Sequence, residues 1–213
     1  MSWSLSEIEG LARKAARGSG FSWGMAEEAG KAVRWLAGIG LPGPEALAHF
    51  LEAHDRTPHA QMRPIDTDLN TWTAAGGVIC PISAGAALCD LAQNDAPSRD
   101  ICITACAYPL LLLPFVRAAA EDGEQAERMI WEGGEFSFAA EVRGAITAPM
   151  MPLGDVQVAH GTNDALPMPE CQLRYDLAEA PAARLAALAA RTYAPDTEQS
   201  RISGAGAGLS DND

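Results

Sequence analysis

Positive charge is scarce in this chain: 15 lysines and arginines stand against 28 aspartates and glutamates, a net charge of −13. A surface of that sign repels phosphate backbones and anionic lipid, so neither nucleic acid nor membrane is an expected partner. Long apolar runs are missing as well. The longest, "ICITACAYPLLLLPFV", is broken by Pro109 and Pro114 and is too short to span a bilayer. The opening "MSWSLSEIEGLARKAARG" lacks the basic stretch and apolar run of a secretory leader, which points to a cytoplasmic protein. Cys80, Cys89, Cys102, Cys106 and Cys171 form no CxxC pair. They are expected as reduced thiols packed like small apolar groups.

The usual chemical signatures are absent too. No GxGxxG opens a helix after a strand, no GxxxxGK[ST] occurs, and GxSxG is missing. His49, His54 and His59 recur every five residues. On a helix that spacing turns the side chain by about 140° beyond a full turn, so the three share no face. Solvated histidines are expected, with no metal site and no cofactor assigned by any motif.

What is present is an ordinary globular composition, 48% hydrophobic and 20% charged over 213 residues. The expectation is one α+β (or α/β layered) domain over 1–199, its helices leading over about 4–54 and followed by a mixed or antiparallel sheet with packed helices, then a Gly-rich tail at 200–213. Ser4 with Glu7, and Ser6 with Glu9, fit capping boxes for a first helix through Arg17. Ser22 caps a second, "WGMAEEAGKAVRWLAGIG", and Pro44 starts a third that runs to about His54. "GGVICPIS" reads as a short strand, "AGAALCDLAQ" as a helix and "DICITAC" as a buried strand. "YPLLLLPFVRAAAEDGEQ" reads as a helix entered at one proline and kinked or restarted at the next. Gly133-Gly134 marks a hairpin, "DVQVAHG" and "CQLRYDL" alternate as strands, and "PAARLAALAARTY" closes with a helix.

The candidate site residues are charges and glycines at turns. Arg17 precedes the "GSGF" turn, Glu28 lies in the first turn of the second helix, and Ser200 and Arg201 precede the glycine run of Gly204 and Gly206. A guanidinium beside exposed backbone amides is a receptor for carboxylate or phosphate. These residues suggest a soluble binding or enzyme-like protein for a small anionic metabolite. Surface ion pairing of the same arginines is the plainer alternative, and a non-catalytic assembly or regulatory protein acting through protein–protein contacts is the second functional reading; self-association through the Trp- and Ala-rich helices is expected of the domain.

The segments "ARKAARGSGFSWGMAEEAGKAVRWL", "CPISAGAALCD" and "SRISGAGAGLSDND" resemble a bacterial family known only as a domain of unknown function. That resemblance spans nearly the whole chain and implies no activity. A fainter one, carried by "GSGFSWGMAEEAGKAVRWLAGIGLPG" and "GTNDALPMPECQLRYDL", is to the type-2 malate/L-lactate dehydrogenases, which use NAD(P). It carries over Gly161, Thr162 and Asn163 residue by residue. The stretches "GLPGPEAL" and "ITACAYPLLL" stand where that family has its catalytic histidines, so the resemblance implies related folds without a base for hydroxy-acid oxidation.

Overall fold

Ser4 and Ser22 begin the first two helices by the hydrogen bonds their spacing predicts. The computed structural model describes residues 2–93 and 99–193. After a short strand β1 (Ser2–Ser4), helix α1 (Leu5–Gly18) starts with both arms of a capping box. Glu7 N–H donates to Ser4 Oγ at 3.2 Å, and the Glu7 carboxylate accepts Ser4 N–H at 2.8 Å. Helix α2 (Trp23–Gly38) is capped by Ser22, whose hydroxyl accepts from Met25 N–H. Helix α3 (Gly43–Ala53) follows, with proline in its first turn.

The stripes that these helices bury are rich in alanine: Ala12, Ala15 and Ala16 on α1, Ala26, Ala29 and Ala32 on α2. Small side chains let the helices approach closely. Arg34 on α2 pairs with Glu9 on α1 at 2.8 Å. The last helix, α7 (Glu179–Ala190), packs back on α1, so the two ends of the described chain meet in one helical layer.

A four-residue helix α4 (His59–Met62) leads to strand β2 (Thr71–Trp72), then to helix α5 (Pro81–Gln93) and strand β3 (Ile101–Ala107). The proline-punctuated stretch is resolved into a 3-10 turn over Pro109–Leu112 and helix α6 (Leu113–Asp122), with Pro114 in its first turn. Proline is accepted there because the first helical amides have no carbonyl to reach. Strands β4 (Glu127–Trp131), β5 (Gly134–Phe138), β6 (Val142–Ile146) and β7 (Leu153–His160) complete the main sheet. Strand β8 (Arg174–Asp176) and helix α7 (Glu179–Ala190) end the described chain.

The six-stranded sheet has the order β2-β3-β7-β4-β5-β6. Only the β2–β3 pairing is parallel; the other neighbours are antiparallel. Strand β1 pairs with β8 in a separate two-stranded sheet. Strand β3 carries a register shift between Ile103 and Cys106, with Ala105 at φ 48°. Its amide donates to Asp155 Oδ1 at 2.8 Å across to β7. One hydrophobic cluster joins the helices to the sheet, from Ile8, Val33 and Leu36 to Ile103, Phe136 and Val156. The α+β class expected from the sequence is the class observed.

Two local expectations need correction. "GGVICPIS" makes no strand: Ile79 forms a single bridge to Cys106, and Pro81 already opens α5. In "CQLRYDL" only Arg174–Asp176 is strand, because its partner β1 is itself three residues long.

Candidate functional site

The antiparallel register places the start of β4 beside the end of β7, so Glu127 stands opposite His160. The start of β3 joins them from the other side of β7, where Ile101 pairs with Val158. Helices α5 and α6 end over the same edge of the sheet, and a cavity of about 470 Å³ opens between them. Its floor is apolar: Leu88 and Leu91 come from α5, Val116 and Ala119 from α6, Ile101 and Val158 from the sheet. Its mouth is polar, with Arg99, Asp122, Glu124, Gln125, Glu127 and His160. A concave apolar floor with a few convergent polar groups is the usual form of a small-molecule site.

Glu127 Oε1 lies 3.2 Å from His160 Nδ1. The Glu127 side chain retains 17% of its exposure, and its carboxyl is pushed up to about 7, first by burial and then by the Asp100 carboxylate. Asp100 also accepts the His160 amide at 3.4 Å, which ties the residue before β3 to the end of β7. A carboxyl that titrates near neutral pH, beside an imidazole, is chemically able to give or take a proton under ordinary conditions.

The remaining polar groups hold the walls. The Arg99 guanidinium donates to Asp68 O at 2.6 Å and to Thr67 O, which fastens the loop before β2 to the entry of β3. Asp122 accepts from Gln93 Nε2 at 3.1 Å and so ties the end of α5 to the end of α6. The chain then turns through Gly123 and Glu124, the latter at φ 50°, into β4. Among the described residues three carboxyl groups at the mouth (Asp122, Glu124 and Glu127) face one guanidinium, with Asp100 close behind. The field at the mouth is therefore negative.

Two of the residues singled out in the sequence, Arg17 and Glu28, lie away from the cleft. Arg17 donates to Phe21 O at 2.8 Å and sits 5.2 Å over the Trp23 ring, where it holds the turn between α1 and α2. Glu28 pairs with Lys31 at 2.8 Å. Neither lines the cleft. Ser200, Arg201, Gly204 and Gly206 lie outside the described residues. Asn163 clasps the β4–β5 hairpin: its amide donates to Ser137 Oγ at 3.1 Å and its side chain to Glu135 Oε1 at 3.0 Å.

The three evenly spaced histidines are half-buried rather than solvated. His49 Nδ1 is 3.1 Å from Arg184, His54 packs on Phe50, and the His59 ring lies 4.0 Å from that of Phe21. Among the described residues no group of three or more His, Cys, Asp and Glu side chains is placed to hold a metal ion. The cysteines are free; Cys80 and Cys106 are fully buried, and burial pushes both thiols up. No helix of the described residues is long and apolar enough to cross a membrane.

Sequence reasoning missed Glu127, His160, Asp100 and Asp122. The signal available was slight: Glu127 and His160 terminate apolar alternations, but which strand ends meet is decided by register over more than thirty residues.

The fold and its cleft define an α+β protein in which helices cover one open end of a mostly antiparallel sheet. Over residues 3–80 the chain is similar to a family described as "Protein of unknown function (DUF3726)", in line with the expected resemblance to an uncharacterised family. The matched stretch holds α1 to β2 and stops short of the cleft residues. Neither the comparison with curated proteins nor that with solved structures finds a match, so the dehydrogenase likeness gains no support from them.

Proposed function

We propose that this protein binds a small, partly apolar molecule in the cleft beneath α5 and α6 and exchanges a proton with it through Glu127. The observation that carries the reading is a mostly buried carboxyl, poised near neutral pH, at the edge of an apolar cavity. His160 orients that carboxyl from the neighbouring strand and supplies a second titratable group. The negative mouth favours a neutral or cationic ligand over the anionic metabolite suggested by Arg17 and the Gly-rich segment. The net charge of −13 supports a partner that is neither nucleic acid nor anionic lipid, and five free thiols support a reducing, cytoplasmic setting.

A thermal-shift panel of amines, carboxylates, sugars and nucleosides tests the reading against wild type and Ala119→Trp, whose indole would fill the cleft. The reading expects at least one compound to raise the melting temperature of wild type alone. Calorimetry of that compound in two buffers of different ionisation enthalpy should report proton exchange in wild type and none in Glu127→Gln. A panel without shifts, or equal shifts in wild type and the filled variant, would overturn it.

A further inference from the structure

We infer that the cleft takes a protonated amine carried on an apolar body, with the ammonium at the Glu127–Asp122 side of the mouth and the hydrocarbon on the Leu88–Val158 floor. The inference rests on the reading that the cleft is the binding site and names the ligand's charge and shape. Three observations lead to it. Among the described residues the mouth presents Asp122, Glu124 and Glu127, with Asp100 behind them, against Arg99. That arginine already donates to two backbone carbonyls, Thr67 O and Asp68 O, so its guanidinium is engaged in holding a loop. The floor offers only hydrocarbon from Leu88, Leu91, Ile101, Val116 and Val158.

An ammonium has three N–H donors and no acceptor, which suits a mouth that carries the carboxyl groups of Asp122, Glu124 and Glu127. Low-dielectric walls strengthen that attraction and raise the local concentration of cations. A carboxylate or phosphate ligand meets the same field with the wrong sign. A neutral ligand of equal shape keeps the floor contacts and loses only the ionic part. Charge is thus the selective element and apolar area the common one.

Benzylamine, benzyl alcohol and benzoate share one ring and differ in charge, so titration calorimetry of the three at pH 8 with the full chain isolates that element. Methyl NMR of Leu88, Leu91 and Val158 reports whether binding occurs in the cleft. Benzylamine is expected to bind about ten-fold or more tighter than the alcohol, with no saturable binding of benzoate. Glu127→Gln should weaken the amine about ten-fold and leave the alcohol unchanged. Asp122→Asn, which keeps the acceptor for Gln93, should weaken the amine about three-fold. Between pH 8 and pH 6 the amine should lose about ten-fold as Glu127 takes up its proton, with Asp100, His160, Asp122, Glu124 and Arg99 the other charged groups facing it. Equal binding of all three compounds, with the cleft methyls shifting, would overturn the amine assignment and leave the cleft as the site. Absence of any methyl shift with all three would overturn both, and so would amine binding indifferent to Glu127→Gln and Asp122→Asn.

Discussion

Glu127 and His160 are cross-strand neighbours, the first residue of β4 opposite the last of β7, with Oε1 and Nδ1 3.2 Å apart. Two polar groups thus meet where the apolar interior of the sheet ends. The pairing keeps a mostly buried carboxyl beside a partner that can share its proton.

Stability should carry the mark of that carboxyl. With its titration raised from 4.5 to about 7, Glu127 binds its proton more tightly folded than unfolded. Between those two values the folded state holds more protons, so stability falls as pH rises, fully present below 4.5 and lost above 7. Glu127→Gln, which never ionises, should flatten the curve. Urea unfolding at pH 4.5 and 8 should show wild type losing about 1–2 kcal/mol more than the variant, after allowance for the carboxyl's partial exposure. Parallel curves would contradict the burial assigned to Glu127.

The cleft walls depend on Gly85. A Cβ placed there would lie 2.2 Å from Phe115 Cγ, so α5 cannot carry a side chain against α6 at that level. Gly85→Ala should cost about 1–3 kcal/mol by forcing the helices apart, despite alanine's better helix propensity. Chemical denaturation checks it; a neutral or stabilising outcome would mean that the two helices sit further apart than described.

Asp155 props the bulge in β3 from the neighbouring strand. Asp155 Oδ1 accepts the Ala105 amide at 2.8 Å while Ala105 sits at φ 48°. Asp155→Ala removes that acceptor and should cost about 1 kcal/mol, with Asp155→Asn recovering part of it. Hydrogen exchange at the Ala105 amide is the direct readout, expected faster in the alanine variant.

At the other end of the chain, Ser4→Ala should cost about 1 kcal/mol by removing the acceptor for the Glu7 amide at the start of α1. Thermal unfolding of Ser4→Ala against Ser4→Asp checks it, since aspartate can still cap.

Much of the local structure was legible. Ser4, Ser22 and Pro44 announce α1, α2 and α3 because capping and proline placement are nearest-neighbour physics. Pro109 and Pro114 announced the interrupted start of α6 for the same reason, and Gly133-Gly134 the β4–β5 hairpin. Short elements escaped: β2 is two residues long and β6 follows the hairpin without a strong apolar alternation. The cleft was not legible at all. Glu127, Asp100 and His160 lie at three strand ends that meet only when β3, β7 and β4 take their order in the sheet, an outcome of long-range pairing. Arg17 stood out in sequence because it precedes a turn, and holding that turn, through Phe21 O, is what the structure shows it doing.

The account turns on one proton equilibrium, and carboxyl ¹³C NMR of Glu-labelled protein, assigned with Glu127→Gln, measures it directly. A glutamate resonance with its midpoint near 7 that disappears in the variant is the expected result. A Glu127 midpoint in the ordinary range of about 4–5 would contradict it.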